Sequence, residues 1–151
     1  MIVLAISFFL NIGFSQSIPS NYISKHINAP KQIAVSGYDV VAYYIQKTAT
    51  KGKEEFTVTL AGIKYYFSSA SNKSLFLKNP AYFLPQYGGW CAYAMGASGE
   101  KVEVDPETFK IVNGKLYLFY NAYFNNTLKT WNKDEAHLKA QADINWTKIN
   151  K

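Results

Sequence analysis

The stretch that decides the fold is FKIVNGKLYLFY, residues 109–120. Two runs rich in aromatic and branched apolar residues, 109–112 and 115–120, flank the dipeptide Asn113-Gly114. Asn and Gly both tolerate the positive φ that a two-residue hairpin turn requires. This pattern predicts an antiparallel β-hairpin.

A second hairpin is predicted upstream, where residues 56–67 read FTVTLAGIKYYF. Residues 56–60 alternate with the two-residue period of a half-buried strand. Ala61-Gly62 turns the chain, and residues 63–67 return it. Before this hairpin, residues 40–45 read VVAYYI, which predicts a short and almost fully apolar strand.

Short helices are predicted after the first hairpin. Ser68 and Ser69 suit the N-cap of a helix over about residues 70–77. Asn79-Pro80 ends that helix, and Pro80 can be the first residue of another short one. The sequence leaves residues 90–95 open between a helical turn and a strand.

The last predicted element is a helix over about residues 127–145. Its inward stripe carries Leu128, Trp131, Glu135, Leu138 and Ala142 at helical spacings. Together these elements predict a small single α+β domain with two antiparallel β-hairpins, short central helices and a C-terminal helix.

The composition limits the classes of partner. The chain has 151 residues, enough for one domain, and 48% apolar residues supply a core. All 16 basic residues are lysines, so the arginine fork that reads guanine and clamps phosphate is absent. The net charge of +6 comes from scattered lysines. We therefore expect no nucleic-acid partner.

The N-terminus reads MIVLAISFFLNIGFSQ, residues 1–16. An apolar core of this length followed by small residues resembles a signal peptide over 1–15, cleaved near Ser15-Gln16. The stretch is too short for a stable membrane span. We therefore expect a secreted or periplasmic protein, with a polar N-terminal arm over 16–35.

Cys91, the only cysteine of the chain, lies in the run YGGWCAYAMG, residues 87–96. One cysteine cannot form an internal disulfide. If residues 90–95 are helical, Cys91 and Met95 lie one turn apart, and a thiolate beside a thioether is a soft pair that suits Cu(I) better than zinc. His137 or His26 would add an imidazole, and a homodimer would combine two cysteines around one ion.

Two other roles for Cys91 stay open. Flanked by Trp90, Ala92 and nearby tyrosines, it fits a buried and inert thiol, in which case the chain is a small-molecule or protein-interaction domain. A thiol enzyme with a Cys-His pair is the third interpretation, and the sequence places no histidine convincingly beside the cysteine. We expect a non-catalytic module.

A ligand pocket is also predicted from the aromatic surplus and one carboxylate. Asp39 fits either an Asx-turn that begins the following segment or a polar group at the rim of a Cys91 pocket. The pocket residues expected from the sequence are Asp39, Tyr43, Tyr66, Tyr87, Trp90 and Tyr93.

Five motifs in order resemble the YHS domain family, most closely its stand-alone exported members. They are GYDVVAY at 37–43, YYFSSASN at 65–72, Phe76 with Asn79-Pro80, QYGGWCAY at 86–93 and VNGKLYL at 112–118. The resemblance covers a YHS-like domain over about residues 36–147. It implies an exported accessory module that binds a soft transition metal such as copper.

Two positions depart from the family pattern. Family members usually carry proline where this chain has Val40. Related YHS and TRASH-type domains have cysteines after the second hairpin strand, which resemble metal ligands, and this chain has FSSAS at 67–71. Serine hydroxyls are poor ligands for zinc or copper. A zinc-type cysteine cluster is therefore not expected within one chain.

Overall fold

The structure, a computed structural model, describes residues 22–151. The predicted signal peptide and the start of the arm lie outside these residues. In chain order the elements are α1 (Ala42–Ile45), β1 (Lys53–Leu60), β2 (Ile63–Phe67), α2 (Ala70–Lys78), α3 (Pro80–Phe83), α4 (Ala92–Ala97), β3 (Asp105–Val112), β4 (Lys115–Phe119), β5 (Asn121–Ala122), β6 (Asn125–Asn126), α5 (Thr127–Trp131) and α6 (Glu135–Ile149). The predicted α+β class is confirmed.

Both predicted hairpins form. β1 pairs with β2 across the Ala61-Gly62 turn, and β3 pairs with β4 across Asn113-Gly114. Asn113 and Gly114 both have positive φ, as a turn of this type requires. A third, minimal pair joins β5 to β6, so the described strands make three separate two-stranded sheets.

β4 divides the hydrophobic interior in two. Its side chains alternate between its faces, and residues 116–119 are all buried. Leu116 and Leu118 pack into a core with the first hairpin and α2. Tyr117 and Phe119 pack into a second core with α4, α5 and α6. The second hairpin therefore holds the two halves of the molecule together.

The predicted helix signals after the first hairpin also hold. Ser69 is the N-cap of α2, because its hydroxyl accepts a hydrogen bond from the amide of Asn72 at 3.1 Å. α2 ends before Asn79, and Pro80 begins α3. In the stretch left open at residues 90–95, residues 92–95 are helical, since α4 begins directly after Cys91.

The predicted strand at 40–45 is wrong. Residues 42–45 form the single turn α1, although Val40 and Val41 are fully buried. The cause is Asp39, whose Oδ1 accepts hydrogen bonds from the amides of Val41 at 2.8 Å and Ala42 at 3.2 Å. A side-chain acceptor at a helix start satisfies amides that have no partner within the helix, and here it outweighs the β-propensity of valine.

The continuous helix predicted at 127–145 is also wrong. The chain forms α5 and α6, separated at residues 132–134. The amide of Asp134 bonds the carbonyl of Trp131 at 3.1 Å, a tight turn that ends α5. Asn and Asp favour such breaks because their side chains compete for backbone groups. The break turns α6 across α4.

Residues 22–37 are packed rather than extended away from the domain. They form short 3-10 turns, and Ala34 and Val35 are buried in the first core. The folded unit described here thus includes chain on the N-terminal side of residue 36. Across residues 22–151, no helix combines the length and the apolar character needed to cross a bilayer.

Candidate functional site

A cavity of about 500 Å³ lies between the N-terminal segment, the chain before α4 and the helix α6. It is lined by apolar, aromatic and a few polar residues: Tyr22, Ile27, Asn28, Ala34, Val35, Tyr65, Ala81, Leu84, Pro85, Gln86, Tyr87, Gly88, Lys115, Asp143, Trp146 and Thr147. Its volume falls in the range of small-molecule sites, about 300–1,000 Å³.

The Gly88-Gly89 pair places Tyr87 in this wall. Tyr87, Gly88 and Gly89 all have positive φ, so the chain turns sharply after Pro85. A Cβ on Gly88 would lie 2.8 Å from the Trp146 ring and 2.9 Å from the carbonyl oxygen of His26. Only glycine lets α6 and the N-terminal segment approach the turn this closely.

α6 supplies a carboxylate to the cavity. The Tyr87 hydroxyl donates to Asp143 Oδ1 at 2.9 Å, and Lys139 Nζ lies 2.6 Å from Asp143 Oδ2. Burial, followed by Asp143, raises the pKa of the Tyr87 hydroxyl far above its ordinary value, so Tyr87 stays protonated and remains the donor. Trp146 lies edge-on to Tyr87, with ring centroids 6.5 Å apart.

The N-terminal segment supplies a buried amide. Asn28 is 6% exposed, and its Nδ2 donates to the Gly89 carbonyl at 3.3 Å and to Glu103 Oε2 at 3.1 Å. Both partners are acceptors, which fixes the orientation of the amide. Its Oδ1 has no hydrogen-bond partner among the described residues.

Cys91 lies at a different place, beside a smaller cavity of about 350 Å³. Its side chain is fully buried. Its sulfur accepts from the amide of Tyr120 at 3.3 Å and lies 3.4 Å from Thr127 Oγ1. Thr127 Oγ1 donates its own proton to the Tyr120 carbonyl at 2.8 Å, so the thiol S–H is the donor toward Thr127. These contacts suit a neutral thiol.

The other predicted metal ligands are arranged less favourably. The amide of Met95 donates a hydrogen bond to the Cys91 carbonyl at 3.0 Å, so the two residues are one helical turn apart. The side chain of Met95, however, packs in the second core. His137 is exposed on α6, and His26 contacts Lys101 and Trp146. Within residues 22–151, no three or more His, Cys, Asp and Glu side chains form a group that could hold a metal ion.

Asp39 is a buried hydrogen-bond centre rather than part of either cavity wall. Besides the two amides that start α1, its Oδ2 accepts from the amide and the hydroxyl of Ser68 and from Asn72 Nδ2, each at 2.7 Å. The carboxylate thus ties α1 to the end of β2 and to α2. This is the Asx-turn geometry, extended to a second element.

The predicted pocket residues do not converge on one site. Tyr87 lines the larger cavity and Tyr93 the smaller one. Tyr43 is buried and donates to the Pro106 carbonyl at 2.7 Å, while Tyr66 contacts Glu54 at 3.4 Å. Trp90 donates from its indole nitrogen to the His26 carbonyl at 2.8 Å. These contacts explain three of the aromatic residues as parts of the fold.

No family model, no curated protein and no solved structure matches this chain. The resemblance to YHS domains stays a prediction from the sequence motifs.

Of the residues that line the larger cavity, the sequence predicted only Tyr87 as a pocket residue; those it missed include Asn28, Asp143 and Trp146. Asp143 and Trp146 are three residues apart on one helix, a spacing that places them on the same face. This spacing near the end of the last helix is the feature of the sequence that could have indicated Asp143 and Trp146. Asn28 carried none, because only the packing of the N-terminal segment brings it to the cavity.

Proposed function

We propose that this protein is a non-catalytic module that binds a small organic molecule in the larger cavity, with Cys91 as a core thiol. The observation that carries this proposal is the cavity itself, a space of about 500 Å³ whose wall exposes polar groups as well as aromatic and apolar side chains. In small-molecule sites, apolar and aromatic surface supplies affinity and polar groups fix the orientation of the ligand.

The way the cavity is built supports a binding role. Its wall combines chain that is far apart in sequence, from Tyr22 to Thr147. Tyr87 and Asp143 bond each other across two of these segments, so the wall is held in position before a ligand enters. Preorganisation of this kind lowers the entropic cost of binding.

Binding of single-ring aromatic fragments, followed by protein NMR, tests the proposal. We expect at least one fragment to shift the signals of Tyr87 and Trp146. Ala81 is exposed and lines the cavity, so Ala81→Trp should block it and abolish the shifts. Ala136→Trp, at an exposed position of α6 away from the cavity lining, is the matched control and should leave them unchanged.

Two results would contradict this function. Shifts confined to the residues around Cys91 and Tyr93 would move the site to the smaller cavity. Absence of binding by every fragment would remove the cavity as a site for this class of ligand.

Copper binding through Cys91 and Met95 remains the competing prediction. It goes together with the predictions that the protein is exported and that two chains combine their cysteines around one ion. Cys91 lies beside the smaller cavity, although its side chain is fully buried. Binding a metal would require the thiol to lose its proton and its contact with Thr127. The geometry therefore favours the small-molecule function.

A further inference from the structure

The polar wall of the larger cavity offers hydrogen-bond acceptors more than donors. The Tyr22 hydroxyl donates to the Leu60 carbonyl at 3.3 Å, and it lies 3.3 Å from the Tyr65 hydroxyl. A hydroxyl has one proton, so Tyr65 is the donor in that second contact. Both tyrosines have therefore committed their protons to the protein, and their hydroxyl oxygens can act toward a ligand only as acceptors.

Other side-chain protons on the cavity wall are also donated to protein acceptors. The Tyr87 proton goes to Asp143, and the Thr147 hydroxyl donates to the main-chain oxygen of Asp143 at 2.8 Å. Both protons of Asn28 Nδ2 have protein acceptors, and its Oδ1, which has no partner among the described residues, is itself buried. Side-chain donors that remain on the wall belong to Gln86, Lys115 and Trp146.

The wall carries one carboxylate, Asp143, which is the group that a cation would contact. Asp143 retains 49% of its side-chain exposure, although Lys139 lies beside it. That hydrogen bond to Asp143 raises the pKa of Lys139, as expected for an ammonium next to a carboxylate. The Tyr87 hydroxyl bonds Asp143, and the Tyr87 ring lies edge-on to Trp146. The faces of aromatic rings attract cations. The wall also carries a positive charge on Lys115, which is exposed at the start of β4, as Asp143 is on α6.

We infer that the ligand of this cavity is a protonated primary amine on a small apolar or aromatic body. Its ammonium group lies against Asp143 and the rings of Tyr87 and Trp146, and its N–H groups meet the acceptors of the wall. This inference rests on the proposed function, because it names the chemical class of molecule that the cavity takes.

Three probes with the same phenyl body and different charge test the inference by calorimetry. They are 2-phenylethylamine, 2-phenylethanol and phenylacetate. We expect the amine to bind about tenfold more tightly than the alcohol, and the anion to bind most weakly, since one charge-assisted hydrogen bond is worth about that factor. Equal affinity of amine and alcohol would overturn the inference and leave the proposed function standing. Tightest binding of phenylacetate would overturn it in favour of Lys115. Binding of none of the three would overturn both.

Two variants separate the charge of Asp143 from its shape. Asp143→Asn keeps an acceptor for Tyr87 and should weaken the amine about tenfold while changing the alcohol less than about twofold. Lys139→Gln removes the competing ammonium and should tighten the amine. Equal weakening of amine and alcohol by Asp143→Asn would show that Asp143 only shapes the wall, which would overturn the inference. Urea unfolding of each variant verifies that it is folded.

Discussion

At the scale of single residues, the buried carboxylate of Asp39 is the most consequential polar group. It has no hydrogen-bond or ion-pair contact with a lysine among the described residues, and it accepts five hydrogen bonds instead. Hydrogen bonds to a buried charge are worth more than neutral ones, because the charge has lost its water. Asp39 therefore holds α1, β2 and α2 together at one point.

Asp39→Asn should lower the free energy of unfolding by about 2–3 kcal/mol. The NH₂ group of the asparagine would replace one carboxylate oxygen and face N–H or O–H donors that now bond that oxygen. Urea unfolding measures the change. Glu54→Gln is the control, since Glu54 is exposed and accepts one long hydrogen bond from Tyr66. It should change stability by less than about 0.5 kcal/mol. A similarly small effect of Asp39→Asn would mean that solvent reaches the carboxylate.

Cys91 gives a second prediction at this scale. The sulfur is fully buried and bonded to Tyr120 and Thr127, so a thiol reagent should modify it only as fast as the protein unfolds. Reaction with an aromatic disulfide reagent, followed across a urea series, checks this. After loading with Cu(I), the protein and its Cys91→Ser variant should retain equally little metal by mass spectrometry. Copper held near one per chain and lost in Cys91→Ser would establish the metal site instead.

At the scale of elements, the sequence predicted the features that are local. Asn113-Gly114 and the Ser69 cap act over a few residues, and both form as expected. The strand predicted at 40–45 was wrong because Asp39 stabilises α1 instead. Ser68, distant in sequence, donates a hydrogen bond to the Asp39 carboxylate and so helps to hold it at the start of α1. The continuous helix at 127–145 was wrong because the inward stripe, apolar apart from Glu135, continues across the turn at 132–134. A contact distant in sequence decided the first case, and local turn chemistry outweighed the apolar pattern in the second.

The packing of α4 on α6 gives a prediction at this scale. A Cβ on Gly96 would lie 2.4 Å from the carbonyl oxygen of Leu138, a backbone atom that cannot rotate away. Alanine is the better helix former by about 1 kcal/mol. We expect the clash to exceed that gain, with Gly96→Ala lowering the free energy of unfolding by about 1–3 kcal/mol. Ser98→Ala, exposed just after the end of the helix, is the control in the same denaturant titration. Stabilisation by Gly96→Ala would show that the helices lie further apart.

At the scale of the whole molecule, the N-terminal segment, residues 22–37, contacts both halves of the molecule. His26 is where this segment meets α6 and the chain before β3. Its Nδ1 lies 3.1 Å from Lys101 Nζ, its ring lies edge-on to Trp146 at 6.5 Å, and its carbonyl accepts from the Trp90 indole. The sequence predicted an arm over 16–35 because that stretch is polar and contains Pro19 and Pro30. The role of the N-terminal segment in the cavity follows from contacts with residues from Leu60 onward.

This junction predicts a pH dependence of stability. Burial, followed by the positive charges of Lys101 and Lys25, lowers the pKa of His26 in the folded protein. The unfolded chain then binds more protons than the folded one between that lowered pKa and the ordinary value of about 6.5. The free energy of unfolding should therefore fall as the pH drops from about 7.5 to 5.5, a range in which few carboxylates titrate. Chemical denaturation at each pH measures the slope. His26→Gln should flatten it, whereas His137→Gln, which removes an exposed histidine away from this junction, should leave it unchanged. If the free energy of unfolding of His26→Gln still falls over this pH range, the titrating group lies elsewhere. The packing of the N-terminal segment would then not depend on the charge of His26.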